Sequence, residues 1–328
     1  MRDTESIVPS FMRELIKNPF AFTKEFKSIP FNKNDIQVLC ELLIKKEKVI
    51  PNLVKLNDNF NDTFIIGDTH GSLEDTVKII QPFLKEEVDS LLFLGDYVDR
   101  GPHSLINLGL ILSLTLSWPK RVVILRGNHE DILINKKNGF KEELLSVFPS
   151  KTEYEKVEDF IDLIYNYLPL AAITPKNSIA LHGGVPKGIY SIEDVNLVPK
   201  PHFNYFRIND LEIRNKAKSV FEQIAWNDPR EDLTTEFASS LRDTNVFYFN
   251  EKTVDNFLAH SNAKRIIRAH ESSRGGYDIL FGGKLIHIFS TKPDSKREKV
   301  SMPHILHEQL NGKIVIKDLD FNVVKKIN

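Results

Sequence analysis

The sequence predicts a mixed α/β fold in which short buried strands alternate with helices and then give way to hairpins. Helical patterns separate the first three strands, and strands joined through helices pair in parallel. The chain shows no repeat or linker that would divide it, so we expect one compact domain. Five apolar runs rich in Ile, Val and Leu have the length and composition of buried strands: Thr63–Ile66, Ser90–Leu94, Val122–Leu125, Ser178–Leu181 and Arg265–Ile267.

The first sixty residues have a helical pattern. Their apolar positions Ile36, Leu39, Leu42 and Leu43 recur at helical spacing, and either Asn34 or Asp35 is a candidate cap. We therefore assign residues 1–60 to an N-terminal helical segment that packs on the domain formed by residues 61–328.

Two helices are predicted between the first three strands. Ser72-Leu73-Glu74-Asp75 is a capping pattern that precedes an apolar helical face. The nearly apolar run Leu105–Trp118 is too short to cross a bilayer, so we interpret it as a buried helix. Near the C-terminus, Gly282-Gly283 and Asn311-Gly312 lie between apolar runs and predict two hairpins.

Composition excludes several classes of protein. Lys and Arg number 44 against 45 Asp and Glu, a net charge of −1, whereas nucleic-acid binders usually carry a basic excess. The single cysteine, Cys40, excludes an intrachain disulfide and a zinc site built from cysteines. The N-terminus lacks the apolar core of a signal peptide. We expect a cytoplasmic protein with no nucleic-acid or membrane partner.

Polar residues follow each of the five predicted strands. The carboxyl ends of neighbouring strands open onto a common crevice, so these side chains can converge on one point. Oxygen and imidazole donors without thiolates suit Mn, Fe or Zn. In chain order, the segments are Gly67-Asp68-Thr69-His70-Gly71, Gly95-Asp96-Tyr97-Val98-Asp99-Arg100-Gly101, Arg126-Gly127-Asn128-His129-Glu130, His182-Gly183-Gly184 and Arg268-Ala269-His270-Glu271.

Each of these segments alone has an ordinary explanation. A single Gly-Asp pair is usually a turn or a helix cap, and a single strand-end histidine such as His182 is usually a hydrogen-bonded core residue. Five such segments in order, each after an apolar run, favour a functional site instead. The remaining histidines lack this context and are interpreted as structural: His103, His202, His260, His287, His304 and His307.

The ordered set resembles the phosphoprotein phosphatase (PPP) family of serine/threonine phosphatases, within the calcineurin-like metallophosphoesterases. The similarity covers about residues 30–291. Ala225-Trp226-Asn227-Asp228-Pro229 is similar to the family's Trp-x-Asp-Pro segment, and Gly276-Tyr277 follows Arg268-Ala269-His270 at the family's spacing. The resemblance implies a four-layer β-sandwich flanked by helices, with a two-metal centre at the strand ends.

The same resemblance implies a role for each motif residue. Asp68, His70 and Asp96 would hold one divalent cation, and Asp96 would bridge to a second held by Asn128, His182 and His270. The cations (Mn²⁺ in vitro, with Fe or Zn as alternatives) would bind a bridging hydroxide that attacks phosphorus in line. His129 would protonate the leaving group with Asp99 orienting it. Substrate phosphate would contact Arg100, Arg242 and Asn128.

Two segments depart from the family pattern. Asp243 follows Arg242 where the family has glycine, so a surface ion pair between these two residues competes with the phosphate-binding role. After Phe289 the family's Ser-Ala-Pro-Asn-Tyr-Cys is replaced by a basic rim loop that contains Lys292, Lys296, Arg297 and Lys299. Such a charge run is usually a solvated face. If the loop borders the cleft, it would steer acidic phosphopeptides or other anions toward it.

The leading functional hypothesis is hydrolysis of phosphoserine and phosphothreonine in proteins. Asp99 in its motif and Glu130 after Asn128-His129 are typical of the family's protein-directed members, which often work with regulatory subunits. A small-molecule metallophosphoesterase, such as a dinucleoside tetraphosphatase or a phosphodiesterase, is the alternative. A pseudoenzyme is disfavoured because all six ligand positions are filled.

Overall fold

The computed structural model describes residues 9–22, 32–273, 275–292 and 302–327. The α-helices of the described residues are α1 (Ser10–Lys17), α2 (Lys33–Glu47), α3 (Leu73–Leu84), α4 (Ser104–Ser117), α5 (Ile132–Asn138), α6 (Phe140–Val147), α7 (Lys151–Tyr165), α8 (Leu211–Gln223) and α9 (Glu251–His260), and short 3-10 helices add to them. The strands are β1 (Leu53–Lys55), β2 (Thr63–Ile66), β3 (Ser90–Phe93), β4 (Val122–Ile124), β5 (Ala171–Ile173), β6 (Ser178–Leu181), β7 (Asp228–Pro229), β8 (Phe237–Ser239), β9 (Phe247–Phe249), β10 (Arg265–Arg268), β11 (Tyr277–Leu280), β12 (Leu285–Ile288), β13 (His304–Glu308), β14 (Ile314–Asp318) and β15 (Val323–Ile327).

The strands form two six-stranded sheets and one small three-stranded sheet. One large sheet has the order β1-β5-β6-β10-β12-β11, and the other has the order β15-β14-β13-β2-β3-β4. The first three predicted strands, β2, β3 and β4, pair in parallel as expected. The other two, β6 and β10, also pair in parallel, but in the opposite sheet. The small sheet has the order β7-β9-β8.

Three buried apolar clusters separate four layers. On β2, Phe64 and Ile66 face the helices of one outer layer, whereas Ile65 faces the cluster between the two large sheets. A third cluster packs α8 and α9 against the other sheet, for example through Val220 and Ile266. Because both faces of each central strand are covered, these strands consist almost entirely of apolar residues. The four-layer sandwich flanked by helices is therefore confirmed.

The N-terminal segment differs in part from the helical prediction. Helices α1 and α2 are present, but Leu53–Lys55 forms β1, which pairs with β5 at the edge of one large sheet. Helix α2 is capped by Asn32 rather than by Asn34 or Asp35, and the Asp35 side chain completes a capping box with Asn32. The boundary between residues 1–60 and 61–328 stays a prediction.

The other local predictions agree with the structure. The buried helix is α4, and α3 starts directly after Ser72, although the Ser72 hydroxyl donates to Asp75 Oδ2 at 2.8 Å instead of capping the backbone. Both hairpins form, β11 with β12 and β13 with β14. Among the described residues, no helix combines the length and apolar character needed to cross a membrane.

Candidate metal centre

The six predicted ligand residues lie together where the two large sheets bring their strand ends to one edge. Asp68, Asp96 and Asn128 follow β2, β3 and β4, whereas His182 and His270 follow β6 and β10 of the facing sheet. All of them, with His70, are at least 95% buried. The fold therefore collects donors from residues up to about two hundred positions apart in the chain.

One group of donors contains Asp68, His70 and Asp96. The Nδ1–H of His70 donates to the Val98 carbonyl at 2.9 Å, which leaves Nε2 with its lone pair. That Nε2 lies 3.5 Å from Asp68 Oδ2 and 3.6 Å from Asp96 Oδ2. Two carboxylate oxygens, potential donor atoms like Nε2 itself, thus lie within 3.6 Å of the His70 Nε2 position.

The second group shares Asp96 with the first. His182 Nε2 lies 3.3 Å from Asp96 Oδ1 and 2.9 Å from Asn128 Oδ1, while its Nδ1–H donates to the Leu94 carbonyl. His270 Nδ1 lies 2.8 Å from the same Asn128 oxygen. Asp96 therefore presents one carboxylate oxygen to each donor group.

Several of the donor atoms have no hydrogen-bond partner among the described residues, as is expected of atoms that bind a cation. Asp68 Oδ2, His70 Nε2 and His270 Nε2 are buried without a hydrogen-bond partner. An unpaired buried polar atom is costly, and a cation removes that cost. Geometry alone also groups His129 with His70 and Asp96 as potential ligands. The second geometric group is Asp96, His182 and His270.

Electrostatics favour the metal-binding form of Asp96 and His270 but not of the other two histidines. Burial opposes protonation of His70 and His182, yet Asp68 beside His70 and Asp96 beside His182 raise the pKa of both imidazoles in the absence of a cation. Burial opposes ionisation of Asp96, but the nearby His182 and His129 lower its pKa well below the usual range. Burial, followed by the positive charge of Arg242, lowers the pKa of His270 well below its ordinary value. A carboxylate and a neutral imidazole are the forms that coordinate a cation.

The loops after β3 and β4 approach each other backbone to backbone. Gly95 has φ +120°, and a Cβ placed there would lie 2.4 Å from the Gly127 nitrogen. Only glycine allows this conformation and this approach together. The close packing sets the separation of the neighbouring residues Asp96 and Asn128.

We expect Gly95→Ala to lower the free energy of unfolding by about 2–5 kcal/mol, because backbone strain and overpacking add. Gly188→Ala is the matched control, since Gly188 has φ +90° and open space around its Cβ position, and should lose only about 1–2 kcal/mol. Urea unfolding of both variants measures the difference. Equal losses would show that the approach to Gly127 carries no energetic weight.

A histidine–carboxylate pair lies beside the two donor groups. The Nδ1–H of His129 donates to Asp99 Oδ2 at 2.7 Å, and its Nε2 accepts from Arg100 Nη2 at 3.2 Å. The backbone N–H of Phe140 holds the other Asp99 oxygen at 3.1 Å. The imidazole thus has one tautomer and one orientation, with Nε2 directed away from Asp99.

Sequence reasoning missed two residues that hold this arrangement. Asn135 Nδ2 donates to Asp99 Oδ2 and to the His129 carbonyl, both at 2.8 Å. Glu130 accepts from the backbone N–H groups of Asp96, Tyr97 and Gly127, which ties two strand-end loops together. Burial and then the charge of Asp96 raise the pKa of Glu130 to about 7. Glu130 belongs to one of the predicted motifs, but the sequence did not indicate what it does there. Asn135 belongs to no motif, and nothing in the sequence pointed to it.

The profile of the calcineurin-like phosphoesterases matches residues 63–273, more than half of the chain. The chain belongs to this family. The serine/threonine-protein phosphatase PP2A-like PPG1 of Candida albicans is 31% identical over 280 residues, which cover 85% of this chain and 63% of that protein. A putative serine/threonine-protein phosphatase of Schizosaccharomyces pombe is 31% identical over 255 residues, covering 78% of this chain and 76% of that protein. Within the family, the chain belongs with the serine/threonine-protein phosphatases.

Solved structures agree on the fold. One described as a protein serine/threonine phosphatase from Saccharomyces cerevisiae, with similarity to human phosphatase PP5, has a TM-score of 0.75 over 97% of both chains at 22% identity. A cold-active protein-tyrosine phosphatase of a Shewanella species has a TM-score of 0.56 at 15% identity, over 87% of this chain and 84% of the other. At these identities the similarity concerns the fold alone.

Two segments depart from the PPP pattern, the one at Arg242-Asp243 and the basic rim loop. The structure describes the first completely and the second only in part. Arg242 Nε lies 3.1 Å from Asp228 Oδ2, and Asp228 Oδ1 lies 3.8 Å from His270 Nε2. Arg242 is thus paired beside the phosphoesterase centre, with Asp228 rather than with the neighbouring Asp243. Of the basic rim loop, Lys292 is described, and its backbone N–H donates to Asp75 Oδ2. Lys296, Arg297 and Lys299 lie outside the described residues.

Proposed function

We propose that this chain hydrolyses phosphoserine and phosphothreonine in proteins with two divalent cations. The observation that carries the proposal is the pair of buried donor groups that share Asp96, with the His129–Asp99 pair directly beside them. The family of the chain supports the reaction class. Phosphorylated proteins would be the substrates, and regulatory subunits would select among them. The cytoplasmic location stays a prediction.

Asp68, His70 and Asp96 would hold one cation in this proposal. Asp96, Asn128, His182 and His270 would hold the other. Bound cations would supply Lewis acidity toward the phosphoryl oxygens and activate a water near neutral pH. Mn²⁺ is the ion we propose for loading in vitro, with Fe or Zn as candidates in the cell, since the donors are carboxylate, amide and imidazole.

The remaining roles belong to side chains beside the cations. Arg100 would hold phosphate oxygens through its planar guanidinium group, with Arg242 and the Asn128 amide as further contacts. If Arg100 turns to the phosphate, Nε2 of His129 loses its present partner and can take a proton from solvent, which it would then give to the leaving oxygen. Asp99 would stabilise the imidazolium before this transfer and keep the ring oriented when it returns to the neutral form.

We expect Asn135→Leu to weaken proton donation by His129, because the buried amide holds both Asp99 and the His129 carbonyl. Turnover of a phosphothreonine peptide, whose alkoxide needs a proton, should fall by about 10-fold or more. Turnover of p-nitrophenyl phosphate, whose leaving group needs little help, should fall much less. Steady-state kcat on the two substrates makes the comparison, with His129→Asn as the reference pattern. Equal losses would assign Asn135 to packing alone.

The direct test is Mn²⁺-dependent release of phosphate from a phosphothreonine peptide. Activity that requires both the metal and His129 supports the proposal. The same preparation is then assayed on diadenosine tetraphosphate and bis-p-nitrophenyl phosphate. A strong preference for either would overturn protein phosphatase activity in favour of a small-molecule phosphoesterase.

A further inference from the structure

A cavity of about 440 Å³ opens beside the metal centre. Asn128 and Trp226 line it on the side of the centre, and the Trp226 ring lies 5.6 Å from the ring of His270. Asp243 lines another side, next to Arg242 and its Asp228 partner. The cavity therefore adjoins two of the residues that we propose to contact substrate phosphate. Its volume is typical of a ligand site.

The walls of the cavity combine apolar surface with negative charge. Ile134, Leu170, Phe221, Ile224 and Val246 supply apolar surface, and the carboxylates belong to Asp131, Glu222 and Asp243. This chain's carboxylate at position 243 stands where the family pattern has glycine. The chain thus carries a negative charge at a position where the family pattern has none.

The positive groups around the cavity are already engaged. Arg126 is the cationic residue of the described lining, and it donates to the Glu130 carbonyl while its guanidinium stacks 4.8 Å from the Phe221 ring. Lys218 lies outside the lining, with Nζ 3.7 Å from Glu222 Oε1. Burial raises the pKa of Glu222, and the charge of Asp243 adds to that rise against the lowering by Lys218. Asp131 accepts from the backbone N–H groups at the start of α5 and Glu222 pairs with Lys218, so three carboxylates stand against two engaged cations and the cavity keeps a negative formal charge.

We propose that this cavity binds a lysine or arginine side chain of the phosphopeptide substrate, close in sequence to the phosphorylated residue. Both side chains have an apolar stem that suits the Phe221 side of the cavity and a cationic head that suits the carboxylates. The inference rests on the proposed phosphatase function and adds to it a substrate class: phosphosites with a nearby basic residue. It is opposite in sign to the steering of acidic peptides expected from the rim loop.

The test uses the full chain loaded with Mn²⁺ and one phosphothreonine peptide varied at each position from −3 to +3. Arg, Ala or Glu is placed at each position in turn, and kcat/KM is measured at low and high salt. At one position or more, Arg should exceed Glu by about ten-fold or more at low salt, and salt should reduce the difference because the charges are partly solvated. Turnover of p-nitrophenyl phosphate by the same wild-type preparation tests the phosphatase function independently.

Two variants remove the charges while keeping the shape of the side chains. Glu222→Gln and Asp243→Asn, singly and together, should reduce the Arg-over-Glu preference to about three-fold or less, chiefly through KM. Glu212→Gln is the matched control on the same helix, where Glu212 is exposed and pairs with Lys216, and should keep the wild-type preference. Circular dichroism shows whether each variant is folded.

The outcomes are distinct. Wild-type turnover of p-nitrophenyl phosphate with no Arg preference, or with a preference for Glu, overturns the cavity proposal and leaves the phosphatase function standing. An Arg preference that survives the double variant places its origin elsewhere and also overturns it. No Mn²⁺-dependent turnover of any phosphoester overturns the proposed function itself.

Discussion

His129→Asn should lower kcat toward a phosphothreonine peptide by about 10²–10⁴-fold, the usual contribution of a general acid. His129 is 3% exposed, and Asp99 Oδ2 accepts its Nδ1–H at 2.7 Å, so the ring presents only Nε2 to a substrate. Asparagine fills part of the space but cannot carry a proton at neutral pH. The measurement is steady-state kcat on peptide, together with metal content by elemental analysis.

The variant should keep both metals, because the proposed ligands remain in place. His260→Asn, on the exposed end of α9, is the matched control and should leave kcat and metal content unchanged. Unchanged activity in His129→Asn would assign proton donation to another group. Loss of one metal in this variant would instead show that His129 is a ligand, as its grouping with His70 and Asp96 also permits.

Asp96→Asn should remove metal as well as activity. Asp96 Oδ1 lies 3.3 Å from His182 Nε2, and its Oδ2 lies 3.6 Å from His70 Nε2, so one carboxylate serves both donor groups. An amide is neutral and offers a single oxygen, so it cannot bridge two cations with the same strength. Cation stabilisation worth several kcal/mol in the transition state corresponds to a loss of about 10³-fold or more.

The assay pairs bound metal per chain with turnover across a Mn²⁺ titration. Asp255→Asn, an exposed carboxylate on α9 that pairs with Lys284, controls for the removal of one negative charge. Two fully bound metals in Asp96→Asn would contradict the bridging role. Full recovery of turnover at high Mn²⁺ would limit Asp96 to affinity and exclude it from the chemistry.

Local features of the chain identified the five strands that precede the donors, two of the helices between them and the donor residues themselves. Thr63–Ile66 reads as a strand because both of its faces are buried, and a buried strand needs no alternation. Asp68 and His70 were identifiable because polar residues and glycines directly follow such a run. The turn at Asn311-Gly312 was likewise predictable, and Gly312 has φ +75°.

Contacts between residues far apart in the chain escaped sequence reasoning. Asn135 is separated from Asp99 by 36 positions and Arg242 from Asp228 by 14, and no local pattern encodes these contacts. The strand β1 was missed for the same reason, since its three residues become a strand only by pairing with β5 more than a hundred positions later. A strand of three residues has little intrinsic β-propensity, so whether it forms depends on its pairing with another strand.

The linear sequence was sufficient to identify the five strands that precede the donor residues, the ligand types and the family resemblance, because apolar runs and the residues directly after them are local signals. Tertiary structure alone determined that β6 and β10 belong to the sheet opposite β2, β3 and β4, so that donors from both sheets meet at Asp96. It also created the acidic cavity, whose carboxylates come from separate segments of the chain. Distances between such segments depend on how the layers pack, and only the complete set of long-range contacts specifies that packing.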